Sequence, residues 1–341
     1  MLALLAAACY GISAPVSKIL LNGIPPALLA SLLYLGAGFG MGIVLSLRSL
    51  RATPRAEARI KRKELPYVIG MVVLDIAAPI LLMFGLSWTN PASVSLLNNF
   101  EIVATALIAM LVFKEAVGKR MWLAIVVITL ACLVLSMEDI AHFTFSAGSL
   151  LVLLASVCWG LENNCTRMLS SKDPLQIVVI KGFGAGIGAL LIALMAGETS
   201  ASFLYILLAL LLGFFAYGLS IALYIRAQRD LGAARTSAYY AIAPFIGMGF
   251  SLVVFGQPLN LSFVLGLVLM LAGAYLAAFE QHSHPHKHER VEHEHRHSHQ
   301  DGHHHHAHPD NTVTHSHAHV HEVLEHAHPH TPDIHHQHPH P

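Results

Sequence analysis

Apolar residues fill most of the chain in blocks of about twenty, the helical length that crosses a hydrocarbon core of about 30 Å. The blocks lie near 2–21, 27–47, 66–86, 92–113, 120–137, 148–169, 175–196, 203–225, 233–255 and 261–280, each closed by a short polar, Pro or Gly stretch. They predict ten transmembrane helices. The block at 92–113 includes Asn98, Asn99 and Glu101 and still keeps the length of a span. Past residue 280 the pattern ends, and His alternates there with small, polar or acidic residues.

Composition excludes other classes. Of 341 residues, 55% are hydrophobic and 12% charged, with a mean hydropathy of +0.59; average proteins have about a quarter of their residues charged. Residues 281–341 hold 24 of the 25 His, so residues 1–280 carry nearly all the hydrophobicity. A soluble enzyme, a nucleic-acid binder and a secreted disulfide scaffold drop out. Cys9, Cys132, Cys158 and Cys165 lie in apolar stretches, where a thiol serves as a small hydrophobe. Residues 1–20 have no basic segment before the apolar run, so they read as a span and not as a signal peptide.

The formal charge of zero hides an ordered distribution. The loop after the second span carries Arg48, Arg51, Arg55, Arg59, Lys61, Arg62 and Lys63; the loop after the fourth has Lys114, Lys119 and Arg120. Arg167 and Lys172 follow the sixth span, and Arg226, Arg229 and Arg235 follow the eighth. The alternate connections are nearly free of Lys and Arg. Basic short loops stay in the cytoplasm, so both termini of this multi-pass cell-membrane protein are expected there.

The two halves, 1–137 and 148–280, read as copies. Cys9-Tyr10-Gly11 matches Cys158-Trp159-Gly160 at an offset of 149, which also pairs Lys18 with Arg167, Pro25 with Pro174 and Tyr34 with Phe183. Phe113-Lys114-Glu115 pairs with Phe255-Gly256-Gln257 at an offset of 142. Five spans is an odd number, so the second copy enters from the opposite side, as in the inverted repeats of secondary transporters. The fold class is therefore an all-α integral membrane protein of two inverted five-helix repeats, followed by a disordered tail over 281–341. Small-residue stripes at Gly36/Gly40, Gly38/Gly42, Gly182/Gly186 and Gly184/Gly188 suit close helix approach.

These features resemble the drug/metabolite transporter superfamily, specifically proteins with two EamA domains. Asn98-Asn99-Phe100-Glu101-Ile102-Val103-Ala104-Thr105-Ala106-Leu107, running to Phe113-Lys114-Glu115, is similar to that family's fourth-helix signature. Leu231-Gly232-Ala233-Ala234-Arg235, Ala243-Pro244 and Gly256-Gln257-Pro258-Leu259 resemble its counterpart in the second copy. The family usually has Glu-Pro in both copies; here the pairs are Glu101-Ile102 and Ala243-Pro244, and Gln257 replaces a closing Glu. The resemblance covers about 1–280. It implies alternating access, usually driven by a proton or exchange gradient, for amino acids, nucleotide derivatives, sugars or drugs.

Charges inside hydrocarbon are expensive and mark cavities, pathways or partners. Asp75 falls in the third span, Glu101 in the fourth, Glu162 in the sixth beside Asn163 and Asn164, and Lys181 in the seventh. Glu101 reads either as a proton-carrying carboxyl or as a structural hydrogen-bonding group, with Asp75 and Glu162 as alternatives for the coupling role. Lys181 could neutralise either acid, including in a pair that never opens. Asn98 stands one turn before Glu101 and offers a donor and an acceptor. Tyr10 and Trp159 occupy equivalent places and, with Tyr239, Tyr240 and Asn99, are candidates to line the pathway. Pro244, Pro15 and Pro79 are candidates to kink their helices.

In the tail, His282, His284, His286, His288, His293, His295, His297, His299, His303, His304, His305, His306, His315, His317, His319 and His321 form repeated His-x-His runs. Such tracts bind Ni²⁺, Zn²⁺, Co²⁺ or Cu²⁺. Two functions stand beside each other: a secondary transporter of a small polar organic solute with a metal-binding tail, or a transition-metal transporter whose tail captures the ion. His142, the one His outside the tail, falls in an external loop, which favours the organic solute. No cofactor is required and no enzyme motif such as His-Glu-x-x-His occurs in 1–280. Expected partners are the bilayer, the solute and, as an open alternative, a second copy in a homodimer; nucleic acid is not among them.

Overall fold

The computed structural model describes residues 1–50, 62–113, 117–139, 144–169, 172–231, 239–256, 259–278, 282–287, 291–298, 314–321 and 325–330. Among these, eight helices are long and apolar enough to cross a membrane. The chain runs through α1 (Leu2–Gly11), α2 (Ser13–Leu20), α3 (Pro26–Leu50), α4 (Leu65–Trp88), α5 (Pro91–Leu97), α6 (Phe100–Phe113) and α7 (Lys119–Ser136). A short antiparallel pair, β1 (Met137–Asp139) with β2 (Thr144–Phe145), leads into α8 (Ala147–Arg167) and α9 (Pro174–Met195). Then come α10 (Phe203–Gly213), a π-helical turn over Phe214–Leu219, α11 (Ser220–Leu231), α12 (Ala243–Phe255) and α13 (Leu261–Ala278).

The sixth and ninth expected spans are the two that fall outside the eight. α8 has 21 residues, but Glu162, Asn163, Asn164 and Arg167 lower its hydropathy. α12 has 13 residues; positions 232–238, where the ninth apolar block opens, lie outside the described residues, as do Lys114 and Glu115 of the fourth-helix motif. Helix starts follow from local chemistry. Asn90 caps α5 by accepting from the Ala92 and Ser93 N–H groups at 2.8 and 3.3 Å, with Pro91 in the first helical position. Asp173 and Pro174 open α9 in the same way, Asp173 accepting from Leu175 N–H at 3.0 Å.

Three expected spans are interrupted. The first breaks at Ile12, the fourth at Asn98–Asn99 and the ninth at Ala241–Ile242. Pro15 has no N–H, so the Gly11 carbonyl loses its helical donor; that carbonyl lies against Gly247 of α12. Pro244 stands in the same relation to the break at Ala241–Ile242: it is the second residue of α12, and its missing N–H deprives the Tyr240 carbonyl of a helical donor, so the expected kink is an interruption of the span. Pro79 sits within α4, which runs unbroken. At the 142 offset the break at 98–99 corresponds to 240–241, one residue short of the break at 241–242 in the second copy.

Packing repeats as well. Counting apolar blocks, α3 packs on α9 (second on seventh), α5 on α12 (fourth on ninth) and α7 on α13 (fifth on tenth). α4 packs on α8 and α1 on α11, that is, third on sixth and first on eighth. Exchanging every block with the one five away leaves this set unchanged. Two glycines carry the same relation into detail. A Cβ on Gly160 would stand 2.6 Å from Ala104 Cβ, and one on Gly11 would stand 3.0 Å from Ile246 Cβ. Gly11 and Gly160 differ by the first offset, Ala104 and Ile246 by the second.

Four segments of the tail lie in antiparallel strand pairs. His282–Lys287 pairs antiparallel with Glu325–His330, and Val291–Ser298 with Thr314–His321. His-x-His alternation has the period of two that a strand requires, a signal that reading the tail for polarity alone overlooks. His293, His295 and His297 stand in register with His319, His317 and His315, and His282, His284 and His286 with His330, His328 and His326. His288, His299 and His303, His304, His305, His306 lie outside the described residues; His321 ends the second ladder opposite Val291.

Candidate translocation site

Four helices bring the intramembrane charges together. α8 places Trp159 one turn before Glu162 and Asn163; α4 brings Asp75, α9 brings Lys181 and the first turn of α6 brings Glu101. Lys181 Nζ lies 2.7 Å from Glu162 Oε1 and 3.5 Å from Asp75 Oδ2. The Tyr34 hydroxyl donates to Asp75 Oδ1 at 2.9 Å, and Trp159 Nε1 donates to the Tyr34 oxygen at 3.4 Å. Thr166 donates to Glu162 Oε1. Asn163 Nδ2 donates to Glu101 Oε1 at 2.6 Å and stands 3.3 Å from Thr105 Oγ1. Asp75 and Glu162 are 1% and 2% exposed, so each must be neutralised or paired.

A second polar locus forms where the three broken spans meet. Tyr10, Gly11, Ser13 and Ala14 from α1 and α2, Ser95 and Asn98 from the fourth span, and Ala243 and Pro244 from α12 line a small cavity. The break at 98–99 leaves Asn98 Oδ1 buried, with no hydrogen-bond partner among the described residues. Asn99, also buried, is committed locally: its Nδ2 donates to Leu96 O at 3.2 Å. Such discontinuous helices in both copies are the feature that marks transporter binding sites.

A chain of tyrosines joins the two loci. Tyr34 and Tyr217 rings are 5.4 Å apart, Tyr217 and Tyr10 6.0 Å, Tyr10 and Tyr240 6.0 Å, and Tyr240 and Tyr224 4.8 Å. Tyr34, Tyr217 and Lys181 line a further cavity with Ala37, Val178, Gly182 and Ile221. Both cavities have room for little more than a water molecule.

The expected residues sort accordingly. Asp75, Glu162, Lys181 and Trp159 form one network and Glu101 joins it through Asn163; Asn98, Tyr10 and Pro244 meet at the broken spans, which Tyr240 reaches through Tyr10. Tyr239 does not join them: it is 49% exposed, because one residue along a helix turns the side chain by about 100°. Lys18 is structural, its ammonium donating to the carbonyls of Leu86, Ser87 and Thr89 at 2.5, 3.1 and 3.1 Å, at the end of α4. Tyr34 and Tyr217 were not singled out from the sequence as site residues. Their signal is a phenol in mid-span, a group that needs a polar partner when buried.

Comparison with known proteins agrees with this architecture. The model of the EamA-like transporter family matches residues 1–137 and 146–279. An uncharacterized transporter of Methanothermobacter thermautotrophicus is 27% identical over 281 residues, covering 78% of this chain and 82% of its own. The uncharacterized transporter YyaM of Bacillus subtilis is 23% identical over 231 residues, covering 65% of this chain and 75% of its own. One solved crystal structure superposes with a TM-score of 0.54 at 14% identity, over 81% of this chain and 95% of that one, which is a likeness of fold alone. The protein is a multi-pass membrane transporter, and its chain belongs to the EamA-like transporter family.

Proposed function

We propose that the protein is a secondary transporter of a small polar organic solute, working by alternating access of two inverted five-helix repeats. In this reading ten helices span the cell membrane and both termini are cytoplasmic. Glu101 carries the coupling proton, and the tail binds Ni²⁺, Zn²⁺, Co²⁺ or Cu²⁺ without taking part in the transport step. The observation that carries the reading is the polar centre shared by both copies: Glu101 with Asn163, and Asp75 with Lys181, are contacts between the first repeat and the second. Relative motion of the repeats must change these contacts, so occupancy of the centre and the direction in which it opens are linked.

The mechanism follows from what each group can do. Asn98 Oδ1, together with the Ser13 and Ser95 hydroxyls lining the same cavity, offers neutral hydrogen bonding to a solute. Glu101, held by one amide donor, keeps lone pairs free for a proton.

The test is uptake and counterflow in vesicles containing the full chain, across amino acids, nucleosides, sugars and divalent metals, with and without a pH gradient. One organic class should show saturable counterflow and accumulate with the gradient. Movement of a divalent metal with no organic solute moving would overturn the reading in favour of a metal transporter.

A further inference from the structure

We propose that the transported solute carries a positive charge, an amine or another organic cation, and that Lys181 is the internal counter-ion that this charge displaces. The proposal rests on the transporter reading and adds a substrate class to it. Three carboxyl groups, Asp75, Glu101 and Glu162, share the centre with one ammonium, Lys181, among the described residues. Lys18 and Lys172 are engaged elsewhere: Lys18 with the carbonyls that end α4, and Lys172 with Glu64 at 2.8 Å. The carboxyls left over must be met by protons or by a cation that enters the site.

Geometry points to the second. Lys181 is held close to Glu162 and only loosely to Asp75. Asp75 Oδ2, on a residue 1% exposed, is met only by the Lys181 ammonium, at the long distance of 3.5 Å. A buried carboxylate oxygen held so loosely has room for a closer cationic donor, and beside it lies the cavity walled by Tyr34, Tyr217 and Lys181. Tyrosine faces attract cations, most strongly where water is excluded, and the chain Tyr34–Tyr217–Tyr10–Tyr240 extends that surface toward the broken spans. An anionic solute would meet three carboxyl groups and one lysine. A neutral one can donate a hydrogen bond to Asp75 Oδ2 but leaves the excess of buried carboxyl charge unbalanced. The cavity is too small for a solute head group until something yields, and Lys181 is the flexible member, a point charge on a four-carbon stem.

The experiment measures binding to the purified full chain by ligand-dependent thermal unfolding. The probes are 2-phenylethylamine, putrescine and tetramethylammonium, set against 2-phenylethanol, 1,4-butanediol and 3-phenylpropanoate at constant pH and ionic strength. At least one cation should stabilise the protein saturably, and bind at least about tenfold more tightly than its neutral or anionic counterpart. Lys181→Met removes the competitor, so cation affinity should rise by about tenfold or more. If Lys181→Met does not fold, the charge-balanced Glu162→Gln/Lys181→Met protein makes the same comparison with Asp75 and Glu101 intact. Equal or tighter binding of the neutral or anionic probes overturns the proposal, as does weaker cation binding to a folded Lys181→Met protein. Vesicle counterflow separates the two failures. A neutral or anionic solute that moves overturns the charge class alone; no moving solute and no cation binding overturn the transporter reading as well.

Discussion

Replacing Glu101 by Gln tests the coupling role without dismantling the site. Glu101 Oε1 accepts the Asn163 amide at 2.6 Å, and a Gln keeps an oxygen there to accept the same bond. What is lost is the difference between a charge-assisted and a neutral hydrogen bond, about 1 kcal/mol, and a favourable charge in the first turn of α6, about 0.3–1 kcal/mol. A loss of that size should leave a folded protein that reaches the membrane. Glu101→Ala is the contrasting change. It leaves Asn163 Nδ2 with only the longer hydrogen bond to Thr105 Oγ1 at 3.3 Å, so it forfeits a charge-assisted hydrogen bond outright, about 1.5–3 kcal/mol. The functional effect is larger and of a different kind. One pH unit is worth about 1.4 kcal/mol per proton, so a transporter coupled to one proton accumulates solute about tenfold across a gradient of one unit. Glu101→Gln should bring that ratio to about one while counterflow under equal pH persists. Vesicle accumulation against an imposed gradient reads the ratio directly, with Asp75→Asn and Glu162→Gln run beside it. Wild-type accumulation and pH dependence in the Gln variant would refute the assignment.

Gly182→Ala should destabilise the bundle by about 1–3 kcal/mol, because the added Cβ would sit 2.4 Å from the Gly38 backbone; Gly249→Ala, with nothing within 4 Å, should be neutral, and thermal unfolding in detergent distinguishes them. Ending the chain at Gln281 removes 24 His and should abolish retention on immobilised nickel or zinc while organic transport continues at near-wild-type rate. Transport that collapses in a truncated protein present at normal level would make the tail part of the mechanism. Cysteines introduced after residue 281 should resist an impermeant reagent in intact cells, and their labelling would invert the topology.

What the sequence makes legible here is what repeats along the chain. Helix length and apolar content give the spans, and the 149 and 142 offsets give a pairing that the packing of α3 on α9 and α7 on α13 respects. The charged residues could be gathered because charge in hydrocarbon stands out against its surroundings. The interruptions could not be read in the same way. The break at Asn98–Asn99 needs only a local loss of helical hydrogen bonds, which two asparagines permit and do not demand, so the fourth block looked continuous. Ile12 carries no sign of its own; the cause is Pro15, three residues later, and the freed Gly11 carbonyl finds its place against Gly247, more than two hundred positions away. Tyr239 and Tyr240 illustrate a finer limit. Adjacent tyrosines are indistinguishable in composition, yet only Tyr240 reaches the ring chain, while Tyr239 is 49% exposed.

The two loci of the site are themselves related by the repeat, which explains why one is charged and the other is not. At the 149 offset, Trp159, Gly160, Glu162 and Asn163 correspond to Tyr10, Gly11, Ser13 and Ala14; at the 142 offset, Glu101 corresponds to Ala243. Those counterparts line the neutral cavity at the broken spans. The Asn163–Glu101 hydrogen bond between α8 and α6 thus has, at the equivalent positions, Ala14 and Ala243, which both line that cavity. One backbone plan has been used twice, with ionisable groups kept on one side of the pseudo-two-fold and small neutral ones on the other. A symmetric pair of acids would repel across the centre and hold the repeats apart in both orientations. Confining the acids and Lys181 to one side lets that side exchange charge with a proton or a cation. In the proposed mechanism the opposite side, with Asn98, Ser13 and Ser95, offers hydrogen bonding to neutral polar groups, which need no charge to pair. A solute with one cationic end and one neutral polar end fits both sides at once, and the tyrosine chain from Tyr34 to Tyr240 lies along the line between them.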